Sequence, residues 1–167
     1  VNNETEVKSS LRTSGEFNFS KIKKISSLFN LNISNIKDIK GKTDLKTNID
    51  FKLDKKYKIR NLVYTSEGEI PYSEIYFKEK KIIKKYLPDY SNKITIKDSK
   101  IKLIKTEPIN TIELNGFVKT NNEFDSFNLK QIYDHNKKSF NIVGKADLTN
   151  SQVNIYELNY VKDSGKE

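Results

Sequence analysis

The sequence contains no cysteine, methionine or tryptophan, and has one histidine, two arginines, three prolines and six glycines. Without cysteine there is no disulfide framework and no thiolate metal site, and a lone histidine cannot build a zinc site of the usual kind. The six glycines form no phosphate-cradling loop, and no G-x-S-x-G elbow occurs. No apolar run approaches the roughly 20 residues of a membrane-crossing helix, and no charged-then-apolar secretory leader opens the chain. Methionine is missing and Val1 stands first, so the sequence is expected to be an internal or processed segment of a larger protein. The absence of thiols is compatible with an oxidising compartment such as a periplasm.

What remains is 167 residues, 35% hydrophobic and 32% charged, with nine Tyr and nine Phe, enough for one domain with a lean core. The net charge of +9 suggests nucleic acid or an anionic membrane. Arginine, the usual reader of phosphates and guanine edges, is nearly absent: 29 of the 31 basic residues are lysine, with acids interspersed. The charge therefore reads as solvation, and no nucleic-acid partner is expected. His135 lies in the polar, turn-like YDHNKK, and Glu67 and Glu69 flank Gly68 without an apolar surround to shift a carboxyl pKa. No enzymatic activity, catalytic residue, metal or cofactor is expected.

The dominant pattern is alternation with period two, the mark of half-buried strands. After Gly41, the residues Thr43, Leu45, Thr47, Ile49, Phe51 and Leu53 share one face and Lys42, Asp44, Lys46, Asn48, Asp50 and Lys52 the other. Such a strand is about 40 Å long at ~3.3 Å per residue, near twice the usual length, which favours an extended sheet over a compact barrel. In KITIKDSKIKLI, Asp98-Ser99 takes the place of a two-residue hairpin loop, with Ile96 facing Ile101 and Ile94 facing Leu103. In KADLTNSQVNIY, Asn150-Ser151 does the same, with Leu148 facing Val153 and Ala146 facing Ile155. The two segments, 93–104 and 145–156, read as a weak internal repeat within a single unit, 1–167, and GKTDL at Gly41 echoes GKADL at Gly144. Further strands are expected at 13–19, 29–39, 57–66, 69–78, 109–119, 123–132 and 138–148, with a bulge or bend near Asn61 where the apolar parity flips. SKIKKISSLF, with Ser20 as N-cap, and KKIIKKYLPDY, stopped by Pro88, have helical spacing; each reads as a short helix or loop capping an open end of the sheet, the alternative being contact with a membrane surface.

The runs IKGKTDLKTNIDFKLDKKYKIRNLVYTSEGEI, ITIKDSKIKLIKTEPINTIELNGFVKT and SFNIVGKADLTNSQVNIYELNY together resemble the AsmA-like proteins, closest to their large YhdP-like branch. The resemblance covers roughly residues 30–162 and rests on the order and spacing of thin motifs: a glycine-led strand start, a D/N-S-x-I/V turn and an N-L-x-Y strand. It implies a segment of an inner-membrane-anchored periplasmic protein of Gram-negative bacteria that conducts phospholipid toward the outer membrane. The membrane helix then lies outside this segment, and the partners are phospholipid acyl chains.

The expected fold is all-β: a long, twisted, curved, mostly antiparallel sheet forming an open groove, with one or two short helices. The expected groove lining is Leu45, Ile49, Phe51, Leu53, Ile94, Ile96, Ile101, Leu103, Ile112, Leu114, Leu148, Val153 and Ile155. The alternatives are a closed sandwich in which these residues pack on each other as a structural or adhesive module, and a basic nucleic-acid binder with interleaved aromatics.

Overall fold

A computed structural model describes residues 4–27, 31–79, 81–88, 90–120 and 123–165. Seven strands form one antiparallel sheet in simple sequence order: β1 (Thr5–Asn18), β2 (Ile36–Leu53), β3 (Ile59–Phe77), β4 (Lys93–Thr106), β5 (Ile109–Lys119), β6 (Asp125–Asp134) and β7 (Ser139–Ala146). The sheet does not close: among the described residues, β1 and β7 are its two unpaired edges. A separate two-stranded sheet pairs β8 (Val153–Ile155) with β9 (Tyr160–Lys162) around a single 3₁₀ turn. Helix α1 (Phe19–Ser26) joins β1 to β2, and α2 (Lys81–Tyr86) lies between β3 and β4.

Period-two patterning produces these strands, and their length reflects how long the pattern persists. β2 runs 18 residues, about 60 Å at ~3.3 Å per residue. β3 runs 19 residues, so the segments 57–66 and 69–78 are one strand; Gly68 does not interrupt it. The bulge near Asn61 is present: the residue has φ 51° and the β2–β3 register shifts between Asp50 and Lys52. The strand expected at 13–19 extends back to Thr5, and that at 29–39 begins only at Ile36, its residues 29 and 30 lying outside the described ones.

The hairpin expected at Asp98-Ser99 is not there. Residues 93–106 form one continuous strand, and Asp98, at φ 46°, sits in a bulge where the β4–β5 register shifts between Lys97 and Lys100. β3 has a matching extra residue around Ile70–Pro71, where its register against β2 shifts, and β3 pairs with β4 in unbroken register across the level. Ile96 and Ile101, of opposite parity, therefore point to the same face of one strand. A proline inside a central strand is tolerated here because a bulge needs no donor from it.

The Asn150-Ser151 hairpin is also absent. β7 ends at Ala146, and Leu148 and Val153 do not pair, because β8 pairs with β9 instead. The Asp125 carboxylate takes the turn, accepting from Asn150 N at 3.0 Å and from Ser151 Oγ at 2.9 Å. The two segments that resemble each other in sequence thus have different structures. Both helices form, but Asn18 rather than Ser20 caps α1: its side chain accepts from Lys21 N at 3.1 Å.

Candidate functional site: an open apolar sheet face

Cross-strand partners in an antiparallel sheet share a face, so the registers assign every side chain to one side. One side carries continuous rows across all seven strands. The first row is Thr13, Leu45, Gly68, Ile101, Leu114, Leu129 and Gly144. The second is Leu11, Thr47, Ser66, Leu103, Ile112, Gln131 and Ile142. The third is Ser9, Ile49, Tyr64, Lys105, Asn110, Tyr133 and Phe140. Each row spans six strand spacings, about 29 Å at ~4.8 Å apiece. The opposite side carries Arg12, Lys46, Glu67, Lys102, Glu113 and Lys130, tied by pairs such as Arg12–Asp44 and Lys130–Glu113.

The apolar side is not a closed core. Only Ile39, Ile96 and Tyr90 are fully buried apolar residues among those described, and all three lie toward the end of the sheet that bears the helices. Leu45, Ile49, Phe51, Leu53, Ile94, Ile101, Leu103, Ile112 and Leu114 are half-buried. The only other sheet among the described residues consists of two three-residue strands, too small to cover seven long ones. The sandwich alternative, in which these residues face a second sheet, is therefore not the arrangement found.

Several hydroxyls on this face are bonded within the sheet. Thr47 Oγ1 and Ser66 Oγ lie 2.8 Å apart, Ser73 Oγ donates to Lys40 O at 3.1 Å, and Ser99 Oγ donates to Lys97 O at 3.0 Å. Burial pushes the Tyr64 phenol up to about 12. Toward the β4–β5 and β6–β7 turns the face ends in polar groups. Lys105, Asn110 and His135 line a cavity of 210 Å³ together with Glu107, Pro108 and Asn136, and Asn110 Nδ2 lies 2.9 Å from His135 Nε2.

The structure brings together ten of the thirteen expected lining residues. Leu45, Ile49, Phe51, Leu53, Ile94, Ile96, Ile101, Leu103, Ile112 and Leu114 all lie on this face. Leu148 comes after the end of β7 and is exposed, while Val153 and Ile155 belong to the small sheet. Their inclusion depended on the hairpin at Asn150-Ser151, and it fails with that hairpin. Phe127, Leu129, Tyr133, Phe140 and Ile142 share the face and were not singled out from the sequence, although Phe127 and Leu129 alternate cleanly.

On the charged side, Glu74 is the best-held group. It accepts from Lys93 Nζ at 2.5 Å, Tyr72 Oη at 2.6 Å, Tyr76 Oη at 2.8 Å and Lys40 Nζ at 3.0 Å. The Lys93 ammonium and the two phenols hold its carboxyl far below the ordinary carboxylate range. Every member of this cluster is paired, so it fastens β2, β3 and β4 rather than offering a site. Open dents of 340 and 410 Å³ lie on the same charged side, and no cluster of metal-ligating side chains occurs among the described residues. No described helix is long and apolar enough to cross a membrane. Comparison with known families, characterised proteins and solved structures finds no match to this chain.

Proposed function

We propose that the apolar face binds phospholipid acyl chains and conducts them along a β-groove. The observation that carries this reading is the uncovered face: rows of half-buried apolar side chains cross seven strands with no second sheet over them among the described residues. Moving a chain of about sixteen carbons through water costs on the order of 13 kcal/mol, at ~0.8 kcal/mol per methylene. A continuous apolar strip removes most of that cost at every point along a path, and it needs no pocket of fixed shape. The hydroxyls of Ser73 and Ser99 donate to backbone carbonyls of the sheet, and those of Thr47 and Ser66 bond each other.

Lys105 and His135 line the cavity where the rows end, and they suit the phosphate of a headgroup whose chains lie on the apolar residues beside them. The AsmA-like resemblance supplies the setting: a periplasmic protein, held to the inner membrane by a helix outside these residues, that passes phospholipid toward the outer membrane.

The test is photo-crosslinking. A photoreactive residue at Phe51 or Leu103 captures phospholipid on irradiation, and one at the adjacent outward positions Lys52 or Lys102 does not. Capture only at the outward positions sinks the reading. Absence of capture at all four leaves a structural or adhesive β module.

A further inference from the structure

We infer that strand β7 is an assembly edge, and that its occupant is β7 of a second copy of this chain, paired antiparallel about Ile142. The inference stands whether or not the apolar face carries lipid. β7 pairs with β6 on one side and with no described strand on the other, and all eight of its residues are exposed. Edges that stay unpaired are normally guarded by charge, proline or a bulge. β7, SFNIVGKA, has one charge, no proline and unbroken register against β6. Its apolar residues are exposed on both sides of the sheet: Phe140 at 51% and Ile142 at 61% on the apolar face, Val143 at 59% on the charged face. The other edge is different. β1 carries Glu6, Lys8, Arg12 and Glu16, and pairing it with itself about its central Leu11 sets Glu6 against Glu16.

The sequence of β7 is self-complementary. Placing Ile142 opposite its symmetry mate puts Phe140 opposite Gly144 twice. That combination already occurs on the apolar face inside the sheet, where Phe17 faces Gly41 and Phe127 faces Gly116. An aromatic ring laid over a cross-strand glycine fills the space its missing side chain leaves. On the charged face the same register sets Asn141 against Val143 and Ser139 against Lys145, with no like charges opposed. Directly opposed residues share a face, so this register joins apolar face to apolar face. The product is a fourteen-stranded sheet from two seven-stranded ones, with a twofold axis through the Ile142 pair that closes the assembly as a dimer.

The absence of cysteine makes the register directly testable with the full chain. The Ile142 pair lies about 5 Å apart between Cα atoms, within disulfide reach, whereas the two Val143 residues, offset by two positions, lie about 8 Å apart. Ile142→Cys is expected to form a disulfide-linked dimer under mild oxidation at about 100 μM chain, and Val143→Cys at least tenfold less. Light scattering on the unmodified chain is expected to give twice the 19.4 kDa monomer mass, and Ile142→Lys to give the monomer with an unchanged circular dichroism spectrum. A monomer at that concentration, a species larger than a dimer, or equal crosslinking at the two positions overturns the proposal. If Ile142→Lys fails to fold, the two cysteine variants still decide it.

Discussion

At the scale of single residues, the charged side of the sheet shows why a lysine-rich surface need not be a binding surface. Glu74 is 8% exposed and holds four donors. Replacing it with Gln removes the charge that Lys93 and Lys40 share, and is expected to destabilise the fold by about 2 kcal/mol in urea titration at neutral pH. Its folded pKa is depressed, so its contribution is complete above the ordinary value of 4.5 and is lost as pH falls below it. The unmodified chain should therefore lose stability on acidification below about pH 4.5, and the Glu74→Gln variant should lose less over the same range. An identical pH dependence in both assigns the acid sensitivity to other carboxylates.

Glycine at one position is fixed by contact. A Cβ at Gly116 would lie 2.0 Å from Ser99 Oγ and 2.6 Å from Ser99 Cα, where the bulge at Asp98 presses β4 against β5. Gly116→Ala is expected to cost about 2–3 kcal/mol in chemical denaturation, since backbone rather than a flexible tip must move. A cost below about 0.5 kcal/mol shows that the two strands part easily at this level.

Among the elements, the strands are long because alternation persists, and they stay in one sheet because consecutive bulges at Ile70–Pro71 and Asp98 keep the faces in phase. The expectation of a hairpin at Asp98-Ser99 took the right pattern for the wrong reason. An apolar set that changes parity across two residues fits a tight hairpin or a bulge equally well, since either one reverses the parity of the residues after it. Only pairing with β3 and β5, which are distant in sequence, distinguishes them. Asn18 offers a similar lesson at smaller size. Ser20 and Asn18 are both capping residues by type, and the strand end at Asn18 decides between them. Asn18→Ala is expected to cost about 1 kcal/mol by loss of the bond to Lys21 N, whereas Ser20→Ala should be near neutral.

For the whole molecule, the question is what an uncovered apolar face costs and what it permits. Ile96 is 7% exposed and belongs to the small buried cluster near the helices. Leu45 is half-buried on the open rows. Ile96→Ala should therefore cost about 3 kcal/mol, and Leu45→Ala under about 1.5 kcal/mol, compared by urea denaturation in the absence of lipid. Equal costs at the two positions indicate a cover over the rows.

The sequence by itself determined which residues share a side within each unbroken run of alternation. That information is local: successive side chains point to opposite faces, so Leu45, Ile49, Phe51 and Leu53 lie together along a strand that carries no bulge of its own between them. It also pointed to the all-β class, to one or two short helices and to a bulge or bend near Asn61. The tertiary structure alone decided which strands are neighbours, and with that the bulge rather than a turn at Asp98, the separation of Val153 and Ile155 from the main sheet, and the exposure of β7. These depend on pairings between residues tens of positions apart, where register is set by the combined fit of whole strands. Whether the apolar face was covered lay in the same category, because alternation fixes that a strand has an apolar side and says nothing about what comes to lie against it.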